Sequence, residues 1–145
     1  MPNLKLMERR TTLLAALLLV GTASYAQSNK EQYELQERCG KWAAEVFAKE
    51  WDSGVSNTAS GQIIGNYENH YNSRLNKCIY VEISNTYSRG KAPFRAMRLF
   101  DLNENREIAT YSKIEGDAFV YCLVQEKRCR TEDEWRTLIK PFMED

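Results

Sequence analysis

The stretch Gln62–Tyr87 decides the fold class, and it reads QIIGNYENHYNSRLNKCIYVEISNTY. On either side of Ser73–Lys77, the apolar side chains are separated by two or four residues. These apolar positions are Ile63, Tyr67 and Tyr71 in the first run, and Ile79, Val81, Ile83 and Tyr87 in the second. Because successive side chains of a strand point to opposite faces, this alternation predicts two β-strands. A five-residue connection is too short for a parallel crossover, so the two strands form an antiparallel hairpin.

The hairpin register predicts a candidate site. If the two apolar faces are buried together, the strands must pair so that these faces coincide. The register that fits a five-residue loop places His70 opposite Tyr80 and Glu68 opposite Glu82, on the face away from the first helix. Opposed carboxylates beside the only histidine have the composition of an acid–base site or a weak cation site. A shift of the register by two residues would separate the glutamates.

Polar residues on an exposed sheet face are also commonly just solvated. We therefore treat Glu68, His70, Tyr80 and Glu82 as a possible binding face, and we assign no catalytic residue, no metal ligand and no cofactor. Six tyrosines in predicted strands could stack on sugar rings, although strand aromatics more often pack against neighbouring strands. They are Tyr67, Tyr71, Tyr80, Tyr87, Tyr111 and Tyr121.

Two helices flank the predicted strands. Ser28 and Glu31 form a capping box that starts a helix near Asn29, and Asp52-Ser53-Gly54 ends it. The apolar face of this helix has spacings of three and four and contains Leu35, Cys39, Trp42, Ala43, Val46, Phe47 and Trp51. A second capping box, Thr131 with Glu134, starts a short helix with Trp135, Leu138, Ile139 and Phe142 on one face. Pro141 should kink or end that helix.

The remaining strands are predicted at Phe94–Leu102, Glu107–Lys113 and Ala118–Val124, and short turns separate them. Val55–Gly61 and Gln125–Arg130 are predicted to be loops. The predicted fold is therefore α+β: a long amino-terminal helix packs on one face of a five-stranded antiparallel meander sheet, and a short helix closes the chain.

The amino terminus has the pattern of a secretory signal. Lys5, Arg9 and Arg10 precede an uncharged run, Thr11–Ala23, which is shorter than the roughly 20 apolar residues that a bilayer-spanning helix needs. Small residues at Ser24 and Ala26 predict cleavage after Ala26. The alternatives are an uncleaved amphiphilic or buried amino-terminal helix and, because of the paired arginines, a twin-arginine signal. Residues 1–26 are thus a predicted cleavable signal, and residues 27–145 are a predicted single domain.

Four cysteines, Cys39, Cys78, Cys122 and Cys129, follow the predicted cleavage site. An even number in an exported chain indicates disulfides, and we favour Cys39 with Cys78 and Cys122 with Cys129. The spacing suits neither a Cys-x-x-Cys redox motif nor a zinc site. No cysteine precedes Cys39, so we expect no lipid attachment and no membrane anchor after cleavage.

The charge balance narrows the class of partner. Lys and Arg number 20, as do Asp and Glu, so no excess of positive charge favours nucleic acid. We expect an exported protein, periplasmic or secreted, and a non-enzymatic binding module of the cell envelope or secretome. Its expected partner is a protein, a peptide or a glycan. The alternative is a small exported hydrolase that uses Glu68, Glu82 and His70.

Overall fold

The structure, a computed structural model, describes residues 29–145. The predicted signal at residues 1–26 and Ser28 of the first capping box lie outside the described residues. Residues 36–145 form one compact unit, and the contacts given below lie within it. Within the described part, no helix combines the length and the apolar character needed to cross a membrane.

Residues 29–145 have an α+β fold, with two helices and one antiparallel sheet. Helix α1 occupies residues 29–51 and helix α2 is Glu132–Met143. Seven strands lie between them and follow one another in space in the order in which they occur along the chain. They are β1 Val55–Thr58, β2 Gly61–Asn72, β3 Lys77–Ser88, β4 Phe94–Asp101, β5 Arg106–Ile114, β6 Val120–Val124 and β7 Lys127–Arg128.

The sheet has two more strands than the sequence predicted, because two segments expected to be loops pair with neighbours. Strand β1 is fully exposed and has no apolar alternation, so its sequence carries no strand signal. It pairs with β2 because Asp52 and Gly54, with φ of 51° and 80°, reverse the chain after α1. Strand β7 is only two residues long and follows a turn at Gln125, whose φ is 53°.

The predicted hairpin register is wrong by one residue. Glu68 pairs with Val81 and His70 with Ile79, whereas Tyr80 pairs with Asn69 and Glu82 with Tyr67. The turn has four residues, 73–76, and Asn76 closes it in the left-handed region with a φ of 53°. The prediction assumed one buried face, but every residue from 78 to 83 in β3 is buried. A strand buried on both sides does not fix its register by apolar alternation.

A helix covers each face of this hairpin. We call the α1 side, with Tyr67, Cys78, Tyr80 and Glu82, the first face, and the α2 side the second face. The large apolar core lies on the second face, where Trp135 and Ile139 of α2 pack on strands β3 to β6. The sequence predicted that the long helix would cover Ile79, Val81 and Ile83, but the short helix α2 covers them.

Helix α1 packs closely on the first face. Its Phe47 ring lies 4.8 Å from the Tyr67 ring, and Trp51 lies directly over Gly65. A Cβ atom at position 65 would be 2.4 Å from Trp51 Cε3, so only glycine allows this approach. Cys39 and Ala43 of the predicted apolar face are buried, whereas Trp42 is exposed.

Helix α2 is held at both ends. Thr131 Oγ1 accepts a hydrogen bond from the Glu134 backbone amide at 3.1 Å, which confirms the predicted cap. At the other end, the amide of the buried Asn72 donates to the carbonyls of Pro141, Phe142 and Glu144. Pro141 lies in the last turn, and the helix ends two residues later.

The structure contains the two favoured disulfides. Cys39 of α1 is bonded to Cys78 of β3, and Cys122 of β6 is bonded to Cys129. The first closes a loop between residues 39 positions apart, and the second links residues 7 positions apart. The two bonds therefore attach α1 to the sheet and fix the segment that leads into α2.

Candidate functional site

The four residues predicted to share one face lie on two. Glu68 and His70 are on the second face, and Tyr80 and Glu82 are on the first, because paired residues share a face and neighbours along a strand do not. The prediction that these side chains share one face is therefore wrong, because the sheet separates Glu82 from Glu68 and His70. These three side chains therefore do not form the single active site that the hydrolase alternative requires. A binding role for any one of them stays a prediction.

Glu82 is the centre of a buried charge network. Its Oε1 accepts hydrogen bonds from Arg98 Nη2 at 2.6 Å and Nε at 3.1 Å, and its Oε2 accepts one from Trp51 Nε1 at 3.2 Å. The adjacent Glu50 carboxyl has a raised pKa, because burial disfavours its charge and the Glu82 carboxyl opposes it. These contacts compensate the burial of Glu82 and tie α1 to β3 and β4.

Tyr80 is a packing residue on the first face. Only 1% of it is exposed, and its ring lies 5.6 Å from that of Tyr67 and 6.4 Å from that of Phe100. Burial raises the pKa of its hydroxyl well above the usual range, and Glu82 adds to this effect. The hydroxyl is enclosed and has no hydrogen-bond partner within residues 29–145. A ligand in solution does not reach it.

Glu68 and His70 lie beside the carboxyl-terminal half of α2. Arg136 Nη1 donates to Glu68 Oε2 at 2.7 Å, and His70 Nε2 lies 3.5 Å from Asp145 Oδ1. The pKa of Asp145 is lowered, mainly by a hydrogen bond from the Ser73 backbone amide. Glu68 thus contacts helix α2, and His70 contacts the last residue of the chain.

A different place on the second face forms a cleft. It lies where the amino-terminal end of α2 leaves strands β3 to β5 uncovered, and it encloses about 450 Å³, within the ~300–1,000 Å³ typical of ligand sites. We call it the α2 cleft. Its lining residues are Asn85, Tyr87, Pro93, Phe94, Arg95, Tyr111, Lys113, Glu115, Gly116, Arg130, Thr131, Glu132 and Asp133.

Arg95 organises the base of the α2 cleft. Its Nε and Nη2 donate to the two carboxylate oxygens of Glu132, each at 3.0 Å, and its Nη1 donates to Asn85 Oδ1 at 2.9 Å. A bidentate pair of this kind fixes the orientation of both planar groups. The free amide hydrogens of Asn85 and the remaining lone pairs of Glu132 are thereby held in fixed positions.

Tyr111 supplies the most informative group in the cleft. Only 3% of the residue is exposed, and its ring packs 6.5 Å from that of Trp135. Its hydroxyl has no hydrogen-bond partner among the described residues. Unlike the hydroxyl of Tyr80, it is not shielded from solvent. Burial raises its pKa, and the nearby Glu132 carboxylate adds to the increase. Because this hydroxyl opens onto the cleft, a bound ligand can displace water from it and take its place as the hydrogen-bond partner.

The rim of the cleft combines aromatic and charged side chains. Tyr87 is 46% exposed on the second face, whereas Phe94 pairs with Thr86 and its side chain belongs to the first face. Lys113 and Arg130 form no side-chain ion pair within the described part of the chain, and Glu115 and Asp133 also line the cleft. The cleft therefore presents apolar surface next to hydrogen-bonding groups.

Sequence reasoning did not find this cleft, because its residues come from three strands and from the start of α2. The sequence offered one usable signal, Arg95, and one residue that it could not single out, Tyr111. Arg95 lies on the same face of β4 as the apolar residues Met97 and Leu99, and a charged side chain at such a position needs a partner. Tyr111 was one of six strand tyrosines with no feature to separate it from the others.

Comparison with known proteins found no matching family model, no matching curated protein and no matching solved structure.

Proposed function

We propose that this protein is an exported, non-enzymatic binding module of the cell envelope or secretome, and that the α2 cleft is its ligand site. The observation that carries the proposal is the Tyr111 hydroxyl, which is unpaired in a residue that is 97% buried and lines the cleft. Because this hydroxyl faces the cleft and has no partner in the described residues, a ligand can replace the water at it with a hydrogen bond of its own, which is worth roughly 0.5–1.5 kcal/mol.

The state of the other polar groups supports binding over catalysis. Arg95 holds both oxygens of Glu132, so this carboxylate is positioned and neutralised rather than available as a general base. The only histidine, His70, is not among the residues that line the cleft. Glu132 is thus placed to orient a ligand, and the histidine that most often serves as a general base lies outside the cleft.

Export is supported by the two disulfides and by the predicted signal. Disulfides persist in oxidising compartments, and both bonds here are in buried positions. A ligand in the same compartment would be a component of the envelope or of the surroundings of the cell.

The test is a binding experiment on the exported, oxidised protein. Separate polysaccharide, peptide and protein fractions of the cell envelope are titrated into isotope-labelled protein, and the backbone amide signals are recorded. We expect one fraction to shift the amide signals of Tyr87, Lys113 and Thr131, because these residues surround the cleft.

The matched variants are Tyr87→Ala and Tyr121→Ala. The two tyrosines are 46% and 48% exposed, but Tyr121 pairs with Ser112 on the first face and lies away from the cleft. Tyr87→Ala should weaken the response, and Tyr121→Ala should not. The proposal fails if no fraction shifts the cleft signals, or if both substitutions weaken binding equally.

A further inference from the structure

We infer that the ligand of the α2 cleft is a neutral glycan, bound as a short oligosaccharide segment. This inference rests on the proposed function and narrows its ligand class. It follows from the charge balance of the cleft, from its mixture of hydrogen-bond donors and acceptors, and from the exposed ring of Tyr87.

The charges that line the cleft cancel. Three cationic and three anionic side chains contribute, namely Arg95, Lys113 and Arg130 against Glu115, Glu132 and Asp133. A charged ligand must lose hydration when it binds, and a net opposite charge in the site is a main source of compensation for that loss. A cleft with balanced charges therefore favours an uncharged ligand over an anion or a cation.

The start of α2 does not act as an anion site. Its first turn carries Glu132, Asp133 and Glu134, which oppose a bound anion. Glu134 Oε2 already accepts the Arg130 backbone amide at 2.8 Å, and Thr131 Oγ1 accepts the Glu134 amide. The protein's own side chains thus occupy the place that a phosphate or sulfate would take.

The remaining polar groups suit a polyol. A sugar hydroxyl donates one hydrogen bond and accepts others, so its site needs both kinds of partner side by side. The Tyr111 hydroxyl does both, the Asn85 amide donates, and the Glu132 carboxylate accepts while Arg95 holds it in place.

The aromatic rim provides the apolar part of the site. Tyr87 is exposed at the mouth of the cleft, and the face of a sugar ring is a surface of C–H groups that packs on such a ring. A peptide that binds by strand addition is disfavoured here. The strands beneath the cleft, β3, β4 and β5, each have neighbours on both sides and offer no free edge over their paired lengths.

The experiment titrates three probe sets into the oxidised, isotope-labelled protein. The first contains neutral di- to tetrasaccharides of glucose, mannose, galactose or N-acetylglucosamine. The second contains uronic-acid and sulfated oligosaccharides of the same length, and the third contains short uncharged peptides. We expect a neutral saccharide to shift the amide signals around the cleft, with an affinity that does not change when salt is raised about tenfold.

Two variants and one control locate the contacts. Tyr87→Ala should raise the dissociation constant about threefold to tenfold by removing the stacking ring. Tyr111→Phe keeps the buried ring and removes only the hydroxyl, and it should raise the constant by a similar factor. Tyr121→Ala should leave it unchanged. Thermal unfolding of each variant shows whether the fold is intact.

The outcomes separate the two claims. If charged oligosaccharides or peptides shift the cleft signals and neutral saccharides do not, the glycan inference is overturned while the binding function stands. If neither these probes nor the envelope fractions shift the cleft signals, both are overturned. If a neutral saccharide binds and Tyr121→Ala weakens it as much as Tyr87→Ala, the binding place is not the α2 cleft and the inference is overturned.

Discussion

At the scale of single residues, the most constrained chemistry lies beneath α1 rather than at the predicted site. Glu82 is buried and accepts hydrogen bonds from Arg98 and Trp51. Glu50 adds a second carboxyl to the same place. Its pKa is raised first by desolvation and then by hydrogen bonding and repulsion with Glu82, whereas Arg98 and Lys49 act in the opposite direction. The network thus stabilises the charge of Glu82 and destabilises the charge of Glu50.

This arrangement predicts a pH-dependent gain in stability for Glu50→Gln. A carboxyl whose folded pKa exceeds its unfolded value lowers stability as pH rises through these two values, and the loss persists above them. At neutral pH the variant should therefore be more stable, because its amide donates to Glu82 without a charge. Glu50 is exposed, so solvent screening limits the gain to roughly 0.5 kcal/mol.

Urea unfolding at two pH values measures this effect. The gain should be present at neutral pH and absent at a pH below the ordinary range of glutamate. Glu50 also lies in the last turn of α1, where a carboxylate opposes the helix dipole, and this contributes with the same sign. Glu45→Gln, which is exposed on the same helix, is the control and should change stability little. A gain of equal size at low pH would contradict the explanation.

At the scale of elements, the sequence predicted both helices and all five central strands, and the ends of these strands differ from the prediction by two residues or fewer. Capping signals and periodicity are local, so they act within one element. Strands β1 and β7 escaped prediction because their pairing depends on turns at Asp52, Gly54 and Gln125, not on an apolar pattern.

The hairpin register escaped prediction for a related reason. Alternation fixes a register only when one face is buried, and β3 is buried on both faces. Tyr80 and Glu82 read as a polar face, yet Tyr80 packs between Tyr67 and Phe100, and Arg98 neutralises Glu82. The α2 cleft depends on how three strands and a helix meet, and this information is not local to any stretch of sequence.

Removing either disulfide should lower stability, and we expect the two losses to differ because the loops that the bonds close differ in length. In the chain-entropy model the Cys39–Cys78 bond, which spans 39 residues, stabilises the fold by about 4 kcal/mol, and the Cys122–Cys129 bond, which spans 7, by about 2.5 kcal/mol. We expect Cys39→Ala/Cys78→Ala to lose more stability in urea unfolding than Cys122→Ala/Cys129→Ala.

The two double variants are matched controls for each other. All four cysteines are buried, so each pair of alanines removes a similar amount of packing and leaves the loop length as the difference. Under reducing conditions the difference between the variants should largely disappear, since the entropy of both loops is then released in every protein. Equal losses under oxidising conditions would contradict this account.

At the scale of the whole molecule, the disulfides fix the elements that cover the sheet. Cys39–Cys78 links α1 to a central strand, and Cys122–Cys129 fixes the chain two residues before the Thr131 cap of α2. The α2 cleft lies beside that cap, so the second bond also holds one wall of the proposed ligand site. Both the stability and the shape of the cleft therefore depend on folding in an oxidising compartment.

Export is the prediction that belongs to the whole chain. We expect a host with a secretion pathway to release a protein that begins at Gln27, since Ser24 and Ala26 place small side chains where a signal peptidase needs them. Intact mass reports the cleavage point. Reduction should add two hydrogens per disulfide, about 4 Da in all, because both bonds in the structure are intramolecular.

Ala26→Trp is the matched control, because a large side chain at the last position of the signal should block cleavage and leave the precursor uncut. A full-length wild-type chain that accumulates in the cytosol with four free thiols would contradict export. Since the second disulfide fixes the wall of the cleft beside Thr131, such a protein should also bind its ligand poorly, and oxidising it in vitro should restore binding. The disulfides thus link ligand binding to the compartment in which the chain folds.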